Sequence, residues 1–135
     1  MTLTDAGPLV ALLDADEPDH ERCRDALELL RLPLLTTCPA FTEAMYLIGR
    51  AGGWPGQKAL WQLVLRDDLV IRPPSESATE RAALLMEKYA DRPMDLGDAT
   101  LVALAEERRI TRIFTLDADF QVYRVGRRRF EVVPA

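Results

Sequence analysis

Four acidic residues stand at the places where a protein built on a β-sheet does its chemistry. Asp5 follows the short run Thr2-Leu3-Thr4, and Glu43 lies in the opening turns of a helix beyond the apolar run Leu32 to Cys38. Asp98 falls in the first turn of the stretch Leu96 to Arg109, and Asp117 closes the run Thr111 to Leu116, with Asp119 just beyond it. Carboxylates gathered together repel one another unless protons or a cation neutralise them. Oxygen donors with no imidazole or thiolate among them select a hard divalent ion, Mg2+ or Mn2+. Each acid also has a structural reading. Asp95 suits a helix N-cap ahead of Asp98, and one of Asp117 and Asp119 is expected to be a turn residue. Asp5, before Ala6-Gly7, is open to exposure, and Glu43 sits in a segment made largely apolar by Phe41, Ala44, Met45 and Leu47. Taken singly each acid reads as structural; their joint placement at one end of a sheet points to a site.

The elements that must hold these acids follow from hydrophobic periodicity and from helix start and stop signals. Strands are expected at Thr2 to Ala6, Leu32 to Cys38, Leu69 to Arg72, Thr111 to Leu116 and, as a last edge strand, Phe130 to Val133. Helices are expected at Pro8 to Leu13, Asp19 to Leu30, Ala40 to Arg50 (ended by Gly52-Gly53), Gly56 to Arg66, Ser75 to Tyr89 and Leu96 to Arg109. Strands that alternate with helices across short loops specify an α/β domain, a parallel sheet flanked by helices. In such a sheet ligands bind beyond the carboxyl ends of the strands, where all four acids fall.

Composition narrows the options. A chain of 135 residues suits a single domain spanning residues 1–135, and 48% hydrophobic with 29% charged residues is an ordinary globular balance. The lone histidine, His20, excludes a mechanism with two imidazoles and reads as a surface or capping residue. Cys23 and Cys38 fit no zinc spacing and are expected as separate thiols. No glycine-rich phosphate loop is present among the 7 glycines. A formal charge of -5 argues against general adhesion to nucleic acid, yet leaves room for contact through a metal and a local basic patch. Arg124 and the run Arg127-Arg128-Arg129 are the candidates for that patch, with a solvated tail as the alternative. Trp54 and Trp61 read either as core or as part of a subunit interface. No membrane span or basic leader is seen, so a cytoplasmic location is expected.

Four segments in order, Asp5-Ala6-Gly7-Pro8-Leu9-Val10, Thr42-Glu43, Asp95-Leu96-Gly97-Asp98-Ala99-Thr100 and Thr115-Leu116-Asp117-Ala118-Asp119-Phe120, resemble the successive motifs of PIN-domain ribonucleases. In length and layout the chain is most similar to VapC toxins of bacterial toxin–antitoxin pairs. The resemblance implies a PIN-like fold in which Asp5, Glu43, Asp98 and Asp117 are catalytic. Asp5, Asp98 and Asp117 would bind metal, with Thr115, Asp95 and Asp119 in support. For the fourth acid Asp117 fits a Thr-x-Asp pattern and Asp119 an Asp-Phe pattern; Asp117 is favoured. The same resemblance implies Mg2+ or Mn2+ dependence, an RNA substrate, a homodimer and a VapB-like antitoxin that fills the acidic groove. Hydrolysis of a phosphodiester agrees with an oxygen-only metal site, which activates water and neutralises the phosphoryl oxygens. An orphan nuclease without an antitoxin and a silent interaction module stay open. A receiver domain is disfavoured, because neither Lys58 nor Lys88 follows a late strand. A dehalogenase-like phosphatase lacks its second acid in Asp5-Ala6-Gly7.

Overall fold

The computed structural model describes residues 1–135. One sheet of five strands forms the centre, in the order β3-β2-β1-β4-β7 and parallel throughout. Its strands are β1 (Thr2–Thr4), β2 (Leu34–Thr37), β3 (Leu69–Arg72), β4 (Arg112–Phe114) and β7 (Glu131–Val133). A small antiparallel hairpin, β5 (Arg124–Val125) with β6 (Arg128–Arg129), lies outside it. The helices are α1 (Ala6–Leu13), α2 (His20–Glu28), α3 (Cys38–Leu65), α4 (Glu76–Lys88) and α5 (Leu96–Arg108).

Successive side chains of a strand point to opposite faces, so each strand feeds two cores. Leu3, Leu35 and Ile113, each fully buried, face α4 and α5 in one apolar cluster. Leu34, Leu69 and Phe114 face α1, α2 and α3 in the other. Burying a side chain of this size contributes about 1.5–3 kcal/mol, so a helix packed on each face is what makes these near-continuous apolar strands stable.

The winding decides where the site can lie. The chain goes outward from β1 through β2 to β3 with α1, α2 and α3 on one face. It then returns across the other face with α4 and α5 to place β4 on the opposite side of β1. Connections leave in opposite directions from β1 and β4, which opens a crevice at their carboxyl ends.

Several boundaries differ from those expected, for local reasons. Helix α1 starts two residues early because Asp5 caps it, its Oδ1 accepting the Ala6 N–H at 2.8 Å. Strand β4 stops at Phe114, since the Thr115 hydroxyl turns the chain by accepting the Asp117 N–H at 3.0 Å. The two helices expected on either side of Gly52-Gly53 are one element, Cys38–Leu65, broken at Gly53. There φ is 60° and ψ -156°, a conformation open to glycine, and Pro55 begins the second half. The basic stretch near the carboxyl end is a hairpin rather than a solvated tail. His20 opens α2 and lies with Nδ1 2.6 Å from the Ala11 carbonyl, tying α2 to α1.

Candidate metal centre

Three elements deliver the acids into the crevice. The end of β1 carries Asp5, the first turn of α5 carries Asp98, and the turn after β4 carries Asp117. One carboxylate oxygen from each lies within 4.8 Å of the others. Asp5 and Asp98 are buried and Asp117 is half-buried. The geometry is held from behind. The Thr115 hydroxyl donates to Asp5 Oδ2 at 2.8 Å, and the Tyr123 hydroxyl donates to Asp98 Oδ2 at 3.2 Å. Asp117 is fixed by its own turn, its Oδ1 accepting the Asp119 N–H at 2.9 Å. Asp95 caps α5 by accepting the Asp98 N–H at 2.7 Å.

Glu43 is at the rim. Its residue surface is exposed, but Oε2 would stand 3.7 Å from a Cβ placed on Gly97, so the carboxylate leans over the start of α5. A groove lined by Cys38, Thr42, Glu43, Tyr46, Asp95 and Leu96 runs along this rim.

The electrostatics are those of charges lacking a counter-ion. Burial pushes the Asp98 carboxyl up to about 8, the fields of Asp95, Asp5 and Asp117 add to it, and the Tyr123 hydrogen bond opposes it. Asp5 is raised by burial, against the hydrogen bonds from Thr115 and the Ala6 N–H, with Asp117 and Asp95 adding. Glu43 is raised by desolvation of its carboxylate and then by Asp5, Asp95 and Asp117. Tyr123 is pushed well above the usual phenol range, by burial first and by Asp98 next. The amino ends of α1 and α5 favour negative charge here, at about 0.3–1 kcal/mol each. That is too little to offset burial plus three neighbouring acids, and no cationic side chain is among the groups that shift these carboxyls. A hard divalent cation fits this donor set in charge and in chemistry.

Other expected residues are not brought here. Asp119 is turned away into an ion pair with Arg92 at 3.1 Å. Arg124 donates to the carbonyls of Gln121, Val122 and Tyr123 at 2.7–3.1 Å. Arg127, Arg128 and Arg129 sit on the hairpin, which packs along α5 toward its carboxyl end. Cys23 is buried and Cys38 exposed, and both are free thiols. Trp54 and Trp61 are on the outer half of α3, at 61% and 41% exposure, with Trp61 edge-on to Phe41. Sequence reasoning missed Tyr123, because no spacing rule links it to an aspartate 25 residues upstream.

A cluster of carboxylates at the switch point of a small parallel sheet defines a class of α/β domains with an acidic site, and the family model of the PIN domain matches residues 2–126. The chain belongs to the PIN-domain family. Among curated proteins it is 28% identical to Ribonuclease VapC26 of Mycobacterium tuberculosis, over 98% of this chain and 99% of that protein. The solved structure of VapC20 from Mycobacterium tuberculosis, described as a sarcin–ricin loop cleaving toxin, superposes with a TM-score of 0.83. The sequence identity is 18%, over 90% of this chain and 94% of that one. A toxin–antitoxin complex from Klebsiella pneumoniae gives a TM-score of 0.67 at 21% identity, over 89% and 90% of the two chains. FitAB bound to a DNA fragment gives 0.62 at 16% identity, over 87% and 85%. No helix is long and apolar enough to cross a membrane.

Proposed function

We propose that this protein is a metal-dependent ribonuclease of the VapC kind, the toxin of a type II toxin–antitoxin pair, acting in the cytoplasm as a homodimer. The observation that carries the reading is the convergence of Asp5, Asp98 and Asp117 oxygens within 4.8 Å with no cationic side chain to neutralise them. The similarity to a named ribonuclease over nearly the whole chain supports RNA as substrate.

Asp5, Asp98 and Asp117 would hold Mg2+ or Mn2+. When bound, such an ion supplies a water of lowered pKa and neutralises charge on the phosphoryl oxygens. Thr115 and Tyr123 fix the orientation of two of the carboxylates, as outer partners do in metal sites. Glu43, exposed at the rim with its carboxyl raised by desolvation and the neighbouring acids, would accept a proton from an attacking water. Tyr46, 62% exposed beside Glu43 along the groove, offers a ring face for an unstacked base. The same anionic groove suits an arginine of a VapB-like antitoxin, since a guanidinium pairs bidentately with carboxylates. Trp54, Trp61 and Leu65 give the outer half of α3 an apolar surface for the second copy.

The purified protein is expected to cut RNA with Mg2+ or Mn2+ and to stop in EDTA. Cleavage that survives exhaustive chelation overturns the mechanism, and silence with every divalent ion favours an interaction module instead. Tyr123→Phe keeps the packed ring and removes one donor to Asp98. Its Mn2+ affinity is expected to fall by about 10–100-fold, as for other outer-shell changes, while the melting temperature changes little. Calorimetric Mn2+ titration checks this, and an unchanged affinity would show that the hydroxyl does not position Asp98.

A further inference from the structure

The arginines of the hairpin find a different setting from the one their sequence suggested. Helix α5 carries Asp98 at its start and Arg108 and Arg109 at its end. From Asp98 to Arg109 is about 16 Å along the axis at 1.5 Å per residue. Arg108 and Arg109 line one hollow together with Arg112, and Arg109 and Arg128 line the adjoining one beside Gly126. Arg127 stands at the tip of the hairpin and Arg129 at the end of its second strand, across from Arg124. A basic surface thus forms at the amino ends of the strands, the pole opposite the acids.

Three observations set this surface apart from a solvated face. Of the nearby acids, Glu106 is paired with Arg81 at 2.9 Å, Glu131 is paired with Arg112 at 3.0 Å, and Glu107 accepts a hydrogen bond from the Ser75 hydroxyl. Arg108, Arg109, Arg127, Arg128 and Arg129 form no ion pair. The fold also holds like charges opposite each other, Arg124 across from Arg129, a placement that destabilises a strand pair. Finally, Arg109 adopts φ 57° and ψ 43°, the left-handed conformation at a helix end that glycine takes without steric cost. A chain of net charge -5 concentrates unpaired arginine here and accepts both costs.

We infer that this pole is a second RNA-binding surface, one that grips phosphates of a folded substrate away from the cut. The inference rests on the ribonuclease reading for the identity of the polyanion. Arginine, with no lysine among these residues, suits phosphate through its planar fork of donors. A surface this far from the acids contacts only an RNA with structure beyond the cleaved nucleotide, so it favours stem–loops over short single strands.

The test separates the two sites by withholding metal. In EDTA the acidic crevice repels phosphate, and binding of a labelled RNA stem–loop reports the arginine surface. The R108S/R109G/R128S variant is compared with wild type by fluorescence anisotropy across a salt series. Arg109→Gly removes the left-handed strain, so the variant is expected to melt at or above the wild-type temperature. Its Kd is expected to rise about ten-fold, and its log–log salt slope to shrink by about 3, for the loss of about three contacts to phosphates of the stem. With Mn2+ present, KM for the stem–loop should rise while kcat, and cleavage of a short single-stranded oligonucleotide, stay unchanged. An unchanged Kd and salt slope overturn the proposal. So does a wild type that ignores the stem–loop but binds poly-glutamate through these arginines, which would assign the pole to an acidic protein. A wild type that loses RNA affinity on substitution yet cuts nothing with Mn2+ supports the surface and overturns the nuclease reading.

Discussion

Asp98→Asn is expected to abolish RNA cleavage while making the metal-free protein more stable. The activity loss should exceed the roughly 10–100-fold that changes to outer partners of metal ligands cost, because Asp98 would itself be a ligand. Stability moves the other way because the native carboxylate is buried, and Asp95, Asp5 and Asp117 all disfavour its charge. Asn keeps the size and can still accept from the Tyr123 hydroxyl. It gives up a favourable contact with the amino end of α5 of about 0.3–1 kcal/mol, which the relief of desolvation and repulsion exceeds. In EDTA at pH 9, above the value of about 8 for Asp98, the gain should be about 2 kcal/mol, or about 7 °C in melting temperature. At pH 6 about half of that gain should remain, because the unfolded carboxyl is already ionised there, and it should vanish only toward the ordinary value of 3.8. Added Mn2+ should reverse the order, because the wild type keeps a ligand that the variant lacks. A variant much less stable than wild type in EDTA at pH 9 would make Asp98 a structural residue of α5 and nothing more.

The pH dependence of wild-type stability should change sign with metal. In EDTA, Asp5, Glu43 and Asp98 all have native values raised above their ordinary ones. The native state therefore binds more protons than the unfolded chain, and stability falls as pH rises. For Asp98 the contribution is fully present below its ordinary value of 3.8 and is lost progressively until pH passes about 8. Melting temperature in EDTA should accordingly drop from pH 5 to pH 9. Metal binds only deprotonated carboxylates. With the ion at about 100 times its Kd the folded state gains about 2.7 kcal/mol, and that gain fades as pH falls through the same range. A set of thermal melts from pH 5 to 9, with EDTA and with Mn2+, reads both slopes. Melting temperatures that rise with pH in EDTA would show that the three carboxyls are neutralised by something within the protein.

Much of this architecture is readable from local patterns. The strand Leu69–Arg72 and the helix beginning at Leu96 follow from their apolar spacing and flanking signals, Asp95 reads as the cap of α5, and Gly52-Gly53 marks the break in α3. These are short-range matters, settled within one turn of helix or a few residues of strand. The association of Asp5, Asp98 and Asp117 is of another kind. The sequence determined that an acid would follow β1, open α5 and follow β4, and the alternation of strands and helices determined that all three would lie at the carboxyl ends. Only the tertiary structure decided that β1 and β4 are neighbours, so that their acids share one crevice within 4.8 Å. It also gave Asp119 to Arg92, brought the Tyr123 hydroxyl to Asp98, and carried Arg127 to Arg129 to the far end of α5. Each of these is a contact between segments distant in sequence. Periodicity reports which face of an element is buried, and what that face meets is fixed by packing two cores against one sheet.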